Sequence, residues 1–457
     1  MIFSANELSE IFDQTITENI DDVCVNSNDA KTGDLFIALE GEKIDGHKFI
    51  GAAMDNGAVL AISEKNISNV DAKRIIKVKS SYEALLKLAR YNIAKSPDAK
   101  YVGITGSVGK TTTKNLIFHI LFSQPEIKNQ VYASKKNFNS QIGLPICAAT
   151  APRNAKFGIF EMGMSGQGDI KKLINIVPPS VSVISQVCEA HLEFFNSIWD
   201  IAKAKSEIFE TIKPQEAVVI PQDSPYADFL KRRAAENGIK NVFTFGLKNA
   251  DAQILVQNNV GDYWEIIAEI LGEKIKYSAV NSNYSLIFNS LSSILCAHLI
   301  SGISLQKLAN AVGLFSSSPG RGASIYVKNR NIILVDDSYN ACPTSLKSAI
   351  QSLPNDRRKI LALGDMLELG KDAIHYHRNL SATIDKFGID AVFACGPLAK
   401  QLFDNLRDCK KGAWAENSLE LSKKVLESIQ DGDCVLVKGS NSMKMNLIVE
   451  QVQKSDR

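Results

Sequence analysis

The sequence predicts an α/β protein of three domains built on parallel sheets. Three observations carry that expectation. The 457 residues exceed one ordinary core. Short apolar runs alternate with helical stretches along most of the chain. Two clusters of small residues and proline punctuate it. Hydrophobic residues make up 45% and charged residues 22%, a globular composition that excludes disordered and collagen-like chains.

The punctuation sets the division. Ser96-Pro97-Asp98 closes an amphipathic helical stretch over 82–95, and Ser316-Ser317-Ser318-Pro319-Gly320 has the composition of a joint between domains. The expected domains are 1–97, 98–317 and 318–457. The first mixes short strands at 35–39, 60–63 and 75–78 with two or three helices. The second has strand candidates at 101–105, 158–162, 181–186 and 217–220 with helices between. In the third, apolar runs at 332–335, 360–363, 391–394 and 435–437 alternate with helices starting near Pro343, Asp372, Pro397, Leu419 and Asn441. Strands separated by helices imply crossover connections and a parallel sheet, whose ligands gather at the carboxyl ends of the strands.

Charge and composition narrow the function. Lys plus Arg is 52 and Asp plus Glu is 50, a net of +2, so no global field draws the chain to nucleic acid or anionic lipid. A polyanion must be held locally. The start, MIFSANELSE, has no basic region followed by an apolar run, and the most apolar stretch, 291–303, is broken by Ser, His and Gly. The eight cysteines show no metal-ligand spacing and read as reduced, mostly buried thiols. The expectation is a cytoplasmic monomer with neither nucleic-acid nor membrane partners.

Local anion binding has one evident source. Gly106-Ser107-Val108-Gly109-Lys110-Thr111-Thr112 lies between the strand 101–105 and a helical run over 115–122. Glycines let backbone N–H groups turn inward, a helix N-terminus adds its dipole, Lys110 a mobile charge, and the Thr111 hydroxyl a ligand for Mg²⁺. The strict phosphate-loop pattern requires glycine where Ile104 stands, so only its second half is present. Nucleoside triphosphate binding is the expected role, with a plain glycine-rich turn as the alternative. Glu161 ends the strand 158–162 and is placed to supply Mg²⁺ with a hard oxygen. His191 follows the strand 181–186, and Lys203 and Lys205 lie on the next helix. Taken singly, Glu161 is equally a surface carboxylate, His191 a packed residue, and the two lysines a solvated basic face.

Together these segments resemble the Mur ligase family, the ATP-dependent amide-bond-forming enzymes of peptidoglycan synthesis. Residues 106–114 are similar to its shortened phosphate loop, Glu161-Met162-Gly163 to its EMG strand end, Ala190-His191-Leu192-Glu193 to its AHLE segment, and Asn137-Phe138-Asn139-Ser140-Gln141-Ile142-Gly143-Leu144-Pro145 to its Asn-rich segment. Other segments resemble the members that join D-alanyl-D-alanine to UDP-N-acetylmuramoyl-tripeptide. These are Thr32-Gly33-Asp34-Leu35-Phe36-Ile37-Ala38-Leu39 with Asp45-Gly46-His47, then Asp336-Asp337-Ser338-Tyr339-Asn340-Ala341-Cys342-Pro343, Gly364-Asp365-Met366-Leu367-Glu368-Leu369-Gly370, and Lys438-Gly439-Ser440.

The resemblance implies a P-loop-ATPase-like central domain, a Rossmann-like C-terminal domain, and ATP and Mg²⁺ as cofactors. It implies that Gly106, Ser107, Val108, Gly109, Lys110, Thr111 and Thr112 hold phosphates. Arg321 would reach the phosphates, Asn289 and Asn340 would lie on the adenine side, and Asp337 and Tyr339 would complete the nucleotide site. Thr111, Glu161, His191 and Lys205 would serve Mg²⁺, with Lys205 carbamylated by CO₂ and Lys203 the weaker match; Lys110, His191 and Lys205 would be catalytic. Ser27, Asp45, His47, Asn137 and Asn139 would contact the UDP-linked substrate. Three positions depart from the pattern: Asn26-Ser27-Asn28 lacks an Arg, Asn283-Tyr284-Ser285 replaces G-x-H, and Asn441 stands where Arg is common. The implied chemistry converts a peptide carboxylate to an acyl phosphate, which the dipeptide amine attacks inside a cleft closed by the C-terminal domain. A folylpolyglutamate-synthase-like ligase, another muramyl ligase, and a nucleotide switch without ligation are the alternatives. The last leaves the DDSYN and GDM segments unexplained.

Overall fold

The computed structural model describes residues 1–68, 70–261, 263–280 and 284–455; Asn283, one of the departing positions, lies outside them. Among the described residues the strands form three sheets. The first pairs β1 (Asp22–Cys24), β2 (Asp34–Ile37), β3 (Leu60–Ser63) and β4 (Ile75–Lys77) in parallel and in that order. Every residue of β2 and β3 is buried, as expected where helices cover both faces of a parallel sheet. The helix Ser81–Ala94 begins where the Ser80 side chain accepts the Glu83 N–H. Its Asn92 donates to the carbonyls of Ala148 and Ala151, both at 2.9 Å, which ties the first sheet's layer to the second.

The second sheet contains β5 (Lys100–Thr105), β6 (Val131–Ala133), β7 (Phe157–Glu161), β8 (Val181–Ile184), β9 (Ala217–Pro221), β10 (Asn241–Gly246), β11 (Ala252–Asn259), β12 (Tyr263–Ile270) and β13 (Glu273–Val280), in the order β13-β12-β11-β10-β9-β8-β5-β7-β6. From β5 the chain runs out to edge strand β6, returns to β7 beside β5, then crosses to β8 on the other flank. This reversal opens a crevice at the carboxyl ends of β5, β7 and β8. The sequence reading stopped at the equivalent of β9. β10 and the antiparallel ribbon β11 to β13 that follows were passed over; the ribbon strands are half-exposed and mix polar with apolar residues, so they read less clearly than the buried strands.

The third sheet orders β14 (Ala323–Val327), β15 (Ile332–Asp337), β16 (Lys359–Gly364), β17 (Ala391–Cys395), β18 (Lys411–Ala415) and β19 (Cys434–Lys438) as β14-β15-β19-β16-β17-β18, with β14 antiparallel. Central strands β19 and β16 are buried throughout. Two helix starts differ from expectation. The helix after the phosphate loop begins at Lys110, because the loop ends at Gly109 in the left-handed region and the threonines form the first turn. The last helix begins at Asn446, after a single tight turn over 441–443. No helix among the described residues is long and apolar enough to cross a membrane.

Candidate active site

The phosphate loop is clamped onto the end of β8. Ser107 N–H donates to Gln186 O at 2.6 Å, its hydroxyl to Cys188 O at 2.9 Å, and the Ser185 hydroxyl to Val108 O at 2.6 Å. Gly106 has φ 152°, and a Cβ there would lie 2.0 Å from Ser185 Oγ, so only glycine fits. No side chain caps the helix Lys110–Phe122, which leaves its first N–H groups to a ligand. Lys110 Nζ donates back to Gly106 O at 2.7 Å and Ser107 O at 3.3 Å. Burial, with Arg321 nearby, holds its ammonium below the usual lysine range.

Glu161, at the tip of β7, is 2% exposed. Its carboxylate accepts from the Thr111 hydroxyl at 2.9 Å and the Asn139 amide at 2.7 Å, and no described residue forms an ion pair with it. A buried anion met only by neutral donors, beside a hydroxyl, suits a hard cation such as Mg²⁺. Lys205 is 1% exposed, with no acceptor for Nζ among the described residues, and burial next to Lys110 drives its ammonium well below the usual range. Lys203 is exposed and pairs with Asp200 at 3.3 Å, whereas Lys205 is buried close enough to Lys110 to feel its charge.

The C-terminal layer supplies the opposite wall. Arg321 stacks over the Tyr339 ring at 3.7 Å, and the Tyr339 hydroxyl accepts from Asn137 at 3.0 Å. Lys438 donates to Asp337 at 2.5 Å and to Asn340 O at 2.9 Å. Burial raises the Asp337 carboxyl even against Lys438. Three more contacts cross the cleft: His191 Nδ1 to Glu368 at 2.6 Å, Thr344 Oγ1 to Glu189 at 2.6 Å, and the Sγ atoms of Cys188 and Cys342 at 3.9 Å. Together these walls enclose about 360 Å³.

The arrangement has known counterparts. Residues 19–92 match the family described as "Mur ligase family, catalytic domain", 104–297 the "Mur ligase middle domain", and 323–441 the "Mur ligase, glutamate ligase domain". The UDP-N-acetylmuramoyl-tripeptide–D-alanyl-D-alanine ligase of Rickettsia prowazekii is 33% identical, over 99% of this chain and 100% of its own. The chain belongs to the Mur ligase family. Among solved structures, MurF from Acinetobacter baumannii superimposes with a TM-score of 0.88 at 25% identity over 99% of both chains. MurF from Thermotoga maritima, solved in complex with ADP, gives 0.81 at 28% identity, over 95% of this chain and 97% of that one.

Within this Mur ligase the cleft is lined by Ser107, Val108, Gly109, Lys110, Thr111 and Thr112 from the loop, by Asn137, Asn139, Glu161 and His191, and by Asn289, Arg321, Asp337, Tyr339 and Asn340. Gly106 and Lys205 lie just behind that lining. Asn289 abuts the loop itself, since its Oδ1 would be 3.0 Å from a Cβ on Gly109. Ser27, Asp45 and His47 belong to the first sheet's layer and do not line this cleft. His47 is buried, donating from Nδ1 to Asp45 at 2.7 Å while Nε2 accepts the Glu64 N–H at 3.2 Å. Asp45 also takes Lys65 at 2.8 Å, so both side chains hold each other and the turn they sit on. Glu368 and Lys438 were missed as site residues although both lie in segments already quoted, because nothing in sequence reveals which loops face each other.

The cysteine pair offers a direct test of how the walls meet. Both thiols are buried, and Cys188 donating its S–H, together with Ser345, lowers the Cys342 thiol while the Cys188 thiol is raised. Diamide, a two-electron oxidant that takes one hydrogen from each thiol, is expected to join Cys188 to Cys342. Peptide mapping should recover that link, and Cys342→Ser should abolish it. Failure to link at any diamide concentration would show that the two walls stand farther apart in solution.

Proposed function

We propose that this chain joins D-alanyl-D-alanine to UDP-N-acetylmuramoyl-tripeptide with cleavage of ATP to ADP and phosphate. The carrying observation is the end-to-end correspondence with ligases of that name, together with a cleft whose anion-binding groups sit where the β5 and β15 loops converge. The tripeptide carboxylate attacks the γ-phosphorus, the bond to ADP breaks, and an acyl phosphate forms. The dipeptide amine then adds to the acyl carbon, loses a proton, and phosphate departs.

Two anions must meet, so the residues' work is charge neutralisation and placement. Lys110, Arg321 and the N–H groups of 108–112 grip the triphosphate, while the Ser107 N–H holds the loop to Gln186 O. Thr111, Glu161, His191 and a carbamylated Lys205 would hold Mg²⁺, and the donor set at Glu161 fits it. Bound there, the metal would neutralise phosphate charge and polarise the γ-phosphoryl group. The C-terminal wall excludes water, which would otherwise hydrolyse the acyl phosphate. Asn137 and Asn139, which line the cleft, would meet the substrate's peptide end. Ser27, Asp45 and His47 support the uridine end by shaping their loops. The same reading takes the chain as a cytoplasmic monomer of domains 1–97, 98–317 and 318–457; its eight free cysteines suit a reducing compartment.

The test is ADP release measured with each substrate alone and with both. Release is expected only with the muramyl tripeptide and the dipeptide together, with Mg²⁺ present. Release with glutamate and a folate, or with neither substrate, would overturn the assignment.

A further inference from the structure

We infer that Glu368 is a positioning residue for His191, supplied from across the cleft, so that the phosphate site is fully ordered only when the C-terminal wall is seated. This rests on the reading above that His191 serves the metal.

The geometry begins with the pair. His191 Nδ1 lies 2.6 Å from Glu368 Oε2. A carboxylate only accepts, so Nδ1 carries the proton and Nε2 is left with its lone pair. His191 lines the cleft, and among the described residues nothing bonds Nε2. Fixing one ring nitrogen with a carboxylate so that the other can bind a cation is a general device of metal sites.

The backbone around the pair is built for this contact. His191 and Glu368 both have φ 62°, a left-handed conformation that non-glycine residues rarely adopt. A second bond runs beside the first, from the Glu193 N–H to Glu368 O at 3.1 Å. The loop carrying Glu368 is itself anchored: His377, fully buried, accepts the Met366 N–H at 3.0 Å while donating to Ala373 O at 2.7 Å, and Ser440 Oγ accepts the Leu367 N–H at 2.8 Å. Glu368 thus projects from a rigid platform. His191 and Lys110 together hold its carboxyl below the usual range, as expected of an ionised group facing the phosphate loop.

Mn²⁺ binding, followed by the electron paramagnetic resonance of the free ion with AMP-PNP present, tests the inference without turnover. Glu368→Ala is expected to weaken Mn²⁺ binding by roughly tenfold or more, the range for loss of a partner behind a metal ligand. Glu368→Gln keeps an acceptor but loses the charge, so its affinity should fall between. Should the alanine variant melt early, the glutamine variant decides: weakened binding supports the inference and wild-type binding overturns it. His191→Ala separates the two levels. If it loses Mn²⁺ while the Glu368 variants do not, the role of Glu368 alone is wrong. If none of the variants changes binding, the metal role of His191 falls as well.

Discussion

Replacing Lys110 with alanine is expected to lower both ADP release and ligation by at least ~10³-fold, while leaving the nucleotide-free protein as stable as before. The two halves of that expectation come from one observation. Lys110 is desolvated, its ammonium disfavoured, with Arg321 adding repulsion. Among the described residues its acceptors are the carbonyls of Gly106 and Ser107. Removing it frees two carbonyls that face the cleft and also removes a strained charge, so the thermal midpoint should hardly move. With ATP bound the balance reverses, because the triphosphate supplies the anion that the buried ammonium lacks. The wild type should therefore gain about 2.7 kcal/mol at a ligand concentration a hundred times its Kd, and the variant should gain far less at the same concentration. Thermal melts with and without Mg-ATP, alongside the ADP assay, read both effects. Turnover within tenfold of wild type would remove the loop from the phosphate site.

What the sequence revealed follows from how locally each feature is determined. The phosphate loop was legible because Gly106 and Gly109 occupy backbone positions that other residues fill poorly, and such demands are written at single positions. Its departure from the strict pattern has a structural reason. Ile104 is a fully buried residue of β5, packed with the helix that follows, so the turn starts two residues beyond it at Gly106. Buried parallel strands were legible as apolar runs, whereas β11 to β13 lie half in water and were passed over. The choice between Lys203 and Lys205 needed the phase of a helix. Two residues apart they point about 200° from each other, so only one can turn inward, and Lys205 is buried with Ile201 and Ala202. Contacts between walls were out of reach. Cys188 and Cys342 are 154 residues apart in the chain, and no local rule brings them to 3.9 Å. His47 is a further case: its ring nitrogens are engaged by Asp45 beside it and by the Glu64 N–H beyond β3, a contact no local pattern announces.

Replacing Lys205 with alanine should cost ~10²- to 10³-fold in ligation, and short carboxylates in solution should restore part of it. An amine 1% exposed, with no acceptor among the described residues and with Lys110 adding repulsion, sits in a place where a cation is unfavourable. Burial thus favours the neutral amine, the form that adds CO₂: nitrogen bonds to carbon, a proton leaves, and a carbamate remains. That reaction turns an unpaired base into an anion next to the ammonium of Lys110. It explains how a lysine can be buried there without a partner, which plain solvation of a helix face does not. Three results separate the possibilities. Formate or acetate should partly rescue Lys205→Ala, because truncation leaves room for a free carboxylate where the carbamate would stand. Lys205→Met, which fills the space a free carboxylate would need, should resist rescue. Removing bicarbonate and CO₂ from the buffer should slow the wild type and leave both variants unaffected. A rescued methionine variant, or a wild type indifferent to CO₂ with no rescue of alanine, would return Lys205 to the role of a buried structural amine.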